Sequence, residues 1–136
     1  MGSGGSAPRP LTTVGAGGHF LRWTTDGRFI VFRCPCGGKA QTMQVPLEGG
    51  NAVATAEIIG GSHMSFSPDA SLIMDVDRHK TLWVSPLSGG KPERIFAFED
   101  SDSRIDYPVW SPDGKWVLFD RFRPQGGDIW MMEGFE

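Results

Sequence analysis

Three residues able to ligate a metal or exchange a proton recur at one place in this sequence. His19, His63 and Asp106 stand four, three and four residues ahead of the aromatic residues Trp23, Phe66 and Trp110. Imidazole and carboxylate together suit zinc or another first-row transition metal. Yet no two of the three have the tight spacing of a ligand pair, and a His at a strand end ordinarily satisfies local backbone groups. The set stands as a ligand-binding candidate, with no metal and no cofactor expected.

Tyr107, beside Asp106, joins the candidates, as do Arg78, His79, Arg121 and Arg123. The runs Arg78-His79-Lys80 and Arg121-Phe122-Arg123 would make a basic patch for an acidic peptide or a phosphate, which a guanidinium grips through two parallel hydrogen bonds. Solvated loop charges paired with Asp75, Asp77 and Asp120 are the plainer use of the same residues. Cys34 and Cys36 are separated by one residue, whereas structural zinc sites usually place two or more between cysteines. A disulfide across so short a span is strained, so reduced thiols are expected. The acidic run "EDSDSR", residues 99–104, reads as a solvated loop and lacks the EF-hand pattern. No Gly-x-Ser-x-Gly elbow, phosphate-cradling glycine loop or His-Glu-x-x-His pair occurs, and the chain is not expected to be an enzyme.

The elements that must carry these residues repeat. "WTTDGRFIVFR", "FSPDASLIMDV" and "WSPDGKWVLFD" return at a period of about 44 residues, in the range of propeller blades. Each unit reads as four strands. Strand A ends at the aromatic residue, strand B follows a tight turn, strand C follows a variable loop, and strand D follows a Gly-Gly turn. In Ser111-Pro112-Asp113-Gly114, Pro fits the second position of a type I turn, Asp the third, and Gly the left-handed position after it. Asp26, Asp69 and Asp113 are thus turn residues and not catalytic carboxylates. The second unit has Ala70 where Gly is expected, and a left-handed Ala costs about 1 kcal/mol or more, so that turn is expected to be strained or reshaped.

The B strands decide the architecture. Phe29-Ile30-Val31-Phe32 and Trp116-Val117-Leu118-Phe119 are apolar throughout, the pattern of strands buried on both faces. Stacked propeller blades bury strands in this way, whereas a β-sandwich, the alternative, leaves one face wet. Met131, Met132, Trp83 and Trp130 are read as blade core. The B–C loops and D–A connections share one rim and collect the candidate residues; variable loops on a regular scaffold are where binding concentrates.

The stretch "YPVWSPDGKWVLFDRFRPQGGDIWMM" resembles the TolB-type, WD-repeat-like β-propeller repeat. The resemblance covers nearly the whole chain from about residue 9, most closely in the third unit. It implies an all-β fold of four-stranded antiparallel blades, three per chain, in a family whose rings commonly have six. It also implies an interaction platform for a protein or peptide, or the substrate-gating half of a prolyl-oligopeptidase-like hydrolase whose catalytic domain lies elsewhere. An extracytoplasmic or periplasmic place, as in bacterial regulatory proteins, is implied by the resemblance alone.

The blade units fall at about 19–59, 60–104 and 105–136, after a linker at 1–8. The third unit has no strand D of its own, and residues 9–14 read as a ring-closing outer strand arriving early. Three blades are too few to close a ring. Either further blades precede these in a longer chain, or a second copy completes the ring, and self-association is expected. Of 136 residues, 13 are basic and 16 acidic, without blocks of like charge, which argues against nucleic acid as a partner. No apolar run approaches the roughly 18 residues of a membrane span.

Overall fold

A computed structural model describes residues 5, 7–14, 20–38, 40–60, 63–100, 102–123 and 126–134. Eleven strands form among them. The first sheet holds β1 (Arg22–Trp23), β2 (Phe29–Cys34), β3 (Gln41–Pro46) and β4 (Val53–Glu57). The second holds β5 (Met64–Phe66), β6 (Leu72–Asp77), β7 (Thr81–Pro86) and β8 (Glu93–Ala97). The third holds β9 (Arg104–Trp110), β10 (Trp116–Arg123) and β11 (Gly126–Glu133). Each sheet is an antiparallel meander in chain order, and β5 and β9 touch where the sheets converge. Among the described residues no helix is long and apolar enough to cross a membrane.

The three A–B turns are built alike. The hydroxyls of Thr24, Ser67 and Ser111 each donate to the carboxylate two residues on, at 2.6, 2.6 and 2.5 Å. Each hydroxyl also accepts the backbone N–H five residues on, from Phe29, Leu72 and Trp116. The carboxylates of Asp26, Asp69 and Asp113 accept the N–H of Arg28, Ser71 and Lys115. Thr24 therefore replaces Ser without loss of the motif. Ala70 keeps the left-handed conformation (φ 56°), so its turn is strained and not reshaped.

The core lies between sheets. Val31 and Ala56 pack against Met64, Phe66 and Ile73, which joins the first sheet to the second. Met74, Val76, Leu82 and Val84 pack against Ile105, Trp110, Val117 and Phe119, which joins the second to the third. Gly60 is required at the first joint, since a Cβ there would lie 2.3 Å from the Asp77 Cα. Its N–H donates to the fully buried carboxylate of Asp75 at 2.8 Å.

Several expectations change here, each because a neighbour is present or missing. Residues 9–14 form no strand. Instead Leu11 and Val14 lie on the outward face of the first sheet, against Phe32, Cys34, Met43 and Val45. Arg9 donates to the carbonyls of Leu47 and Glu48, and Leu11 accepts from Gly50, which ties this segment to the β3–β4 turn. At the other end, among the described residues, nothing covers the outer face of β10 or pairs with the free edge of β11. Leu118, expected to be buried, is 44% exposed, and the supposed core residues Trp130 and Met131 are 41% and 59% exposed. Met132, on the face of β11 opposite Met131 and shared with Trp130, does pack on the core, and the Trp130 ring meets Phe98 at 6.0 Å.

The thiols expected to be reduced are paired. Gly37 (φ 68°) turns the chain back between β2 and β3, and Cys34 and Cys36 form a disulfide with Cα atoms 5.1 Å apart. That separation lies within the range a disulfide spans.

Candidate functional site

The rim formed by the D–A connections and the β6–β7 turn brings His63, His79 and Asp106 together. Their ligand atoms all lie within 4.8 Å of one another. His79 Nδ1 is 2.5 Å, and His63 Nε2 3.1 Å, from the same Asp106 oxygen, Oδ1. Both imidazoles thus address one carboxylate oxygen, with the three side chains only partly exposed.

Each of the three is held by its backbone. The His63 carbonyl accepts from Val76 on β6 at 3.0 Å, and the His79 carbonyl accepts from Ile105 on β9 at 2.9 Å. Asp106 donates its N–H to the Asp120 carboxylate on the neighbouring strand β10 at 2.7 Å. His79 sits with Arg78 at the tip of the β6–β7 hairpin, where the Lys80 N–H closes on the Asp77 carbonyl at 3.0 Å. Both tip residues are left-handed (φ 51° and 58°), the geometry of a type I′ turn that normally selects Asn and Gly. A left-handed residue with a Cβ costs on the order of 1 kcal/mol or more, and here it carries an imidazole onto Asp106.

Tyr107 is also left-handed (φ 48°), at the bulge where the β9–β10 register shifts. A bulge re-aims side chains, and here both Asp106 and Tyr107 reach His63. The Tyr107 ring lies 4.3 Å from the His63 ring, and Phe20 meets His63 edge-on at 6.0 Å. Beneath these rings runs a groove of about 250 Å³ along the first strands of all three sheets, walled by Leu21, Arg22, Met64, Ser65 and Pro108 among others.

Of the residues singled out in the sequence, His63, Asp106, Tyr107 and His79 converge here, and Arg78 flanks them with an exposed side chain. His19 lies outside the described residues. Arg121 and Arg123 belong elsewhere. Arg121 pairs with Asp100 and donates to Ser103 at 3.0 Å, with its guanidinium over Phe98 (4.5 Å) and Trp130 (5.0 Å). Arg123 donates to the same Ser103 hydroxyl at 3.2 Å, and Lys80 to the carbonyls of Asp100 and Ser103. The expected partners Asp75 and Asp120 are instead occupied by the N–H groups of Gly60 and Asp106.

Asp100 and Ser103, in the run read as a solvated loop, are therefore anchored, and Ser103 is fully buried. The hydrogen bonds from Ser103, and then Arg121, hold the Asp100 carboxyl down to about 2. Lys80, Arg121 and Arg123, part of the expected basic patch, instead fasten the third sheet to the second.

Three antiparallel meanders, stacked face to face around their first strands, define a segment of a β-propeller. Its likeness among solved structures is to propellers of the TolB type. A putative TolB from Agrobacterium tumefaciens superposes with a TM-score of 0.62 and 19% identity, over 87% of this chain and 44% of that one. TolB from Acinetobacter baumannii gives a TM-score of 0.60 and 20% identity, over 83% and 29%. A structure from a study of two prolyl endopeptidases gives 0.51 and 16%, over 84% and 21%. The chain spans less than half the length of each. No family model matches the sequence, and no curated protein matches it.

Proposed function

We propose that this chain is a non-enzymatic propeller module that binds a protein or peptide on its variable-loop rim. The observation that carries this reading is the groove shared by the first strands of all three sheets, into which Phe20, His63 and Tyr107 bring their rings. Grooves with apolar walls and a few placed polar groups are the usual form of such sites. Leu21 and Tyr107, both 65% exposed, give this one an apolar wall, and Arg22 and His63 supply polar groups. A substrate-gating role beside a hydrolase domain would use the same rim, and the prolyl endopeptidase likeness supports it at the level of fold alone.

A displayed-peptide selection on the immobilised chain tests the proposal. The expected result is a set of peptides whose binding is lost with Tyr107→Ala and kept with Lys91→Ala on the opposite rim. Peptides indifferent to Tyr107, or none at all, would overturn it.

The module also self-associates in this reading, with the open third sheet of one copy covered by a second copy. The exposed apolar residues of β10 and the unpaired edge of β11 support it, because such edges recruit a further strand.

A further inference from the structure

We infer that His63, His79 and Asp106 form a binding site for one divalent transition-metal ion, of which zinc is the type. The inference stands on the ligand geometry and does not depend on the rim's binding a peptide. Two imidazoles and a carboxylate are a donor set for zinc with an open fourth position. A tetrahedral ion held at about 2.0–2.2 Å needs its ligand atoms roughly 3.3 Å apart. His63 Nε2 and Asp106 Oδ1 already stand 3.1 Å apart, and the set spans no more than 4.8 Å. An ion between them requires the 2.5 Å approach of His79 to the carboxylate to widen, and the His79 side chain is 36% exposed.

Three further observations point the same way. The backbone of each ligand residue is pinned to a different strand, β6, β9 or β10, so the set is organised before any ion arrives. His63 turns Nε2, the nitrogen that would meet the ion, toward Asp106. Finally, the chain spends a strained left-handed conformation at His79 where Asn or Gly would fit freely. The negative Asp106 oxygen draws positive charge to the point between the rings, and a metal supplies it without the two N–H donors now required.

Zinc titration of the untagged chain by calorimetry tests the site, with cobalt(II) absorption as a second readout of coordination. One zinc per chain is expected, together with the visible bands of a low-symmetry cobalt centre. His79→Gly suits the left-handed turn and so keeps the fold. It should weaken zinc by at least about tenfold while the melting temperature holds or rises. Asp106→Asn should weaken it likewise. The inference is overturned if the chain takes up no stoichiometric zinc. It is equally overturned if His79→Gly leaves the affinity unchanged, or if binding vanishes only with Cys34→Ser and Cys36→Ser.

Discussion

Phe32 on β2 and Leu118 on β10 lie on the two end faces of the arc, yet Phe32 is 2% exposed and Leu118 44%. The first sheet is covered by the segment that precedes it, whose Leu11 and Val14 stand in for a neighbouring blade. Among the described residues the third sheet has no such cover, and its Phe122, Ile129 and Met131 are exposed with Leu118. The middle sheet, packed on both sides, shows what each end sheet is patterned to receive. Apolar patterning states the need for a neighbour, and only the available chain decides whether the need is met.

The contrast can be broken by mutation. Phe32→Ala removes a ring from a closed core and should cost about 3–5 kcal/mol, read from denaturant midpoints. Leu11→Ala thins the cover over that core and should cost about 1 kcal/mol, the loss of partly buried methyl groups. Leu118→Ala, on the open face, should change the stability of the separated chain by no more than about 0.5 kcal/mol. A large effect of Leu118→Ala at high dilution would show that the two ends are not different after all.

Two further tests touch the middle sheet and serve as references for both ends. Ala70→Gly relieves the left-handed Ala and should stabilise the chain by about 0.5–1 kcal/mol, seen as a higher melting temperature. Acid should act on all three turns together. The carboxyl of Asp69 is held down to about 2 by the Ser67 hydroxyl and then Ser71, and those of Asp26 and Asp113 are lowered by Thr24 and Ser111. Groups with depressed native values contribute stability above their unfolded value of about 4. That stability is lost as pH falls toward 2, and a melting temperature that holds flat over this window would contradict it.

Much of the fold was legible because its signals are local. The Pro, Asp and Gly of each turn fix a hairpin, and Ala70 announced its own strain. The site was half legible. His63 and Asp106 stood out by recurring at one place in the repeat, but His79 was masked by Arg78 and Lys80, which made it look like part of a basic run. Its better signal was the two-residue hairpin tip itself, where Arg and His occupy positions that favour Asn and Gly. Arg121 and Arg123 were misread because their partner, Asp100, comes from the preceding sheet's loop, a contact no short window contains. The exposure of Met131 was hidden for the opposite reason: a pattern of core residues cannot report whether a neighbour covers it.

In the proposed reading a second copy covers the open third sheet. Light scattering of the purified chain, over a wide range of micromolar concentrations and repeated with Leu118→Asp, tests it most directly. The account predicts a mass of about 30 kDa, twice the chain's 14.9 kDa, and a return to the single-chain value with Leu118→Asp. A single-chain mass at every concentration, or a dimer that Leu118→Asp leaves intact, would contradict it.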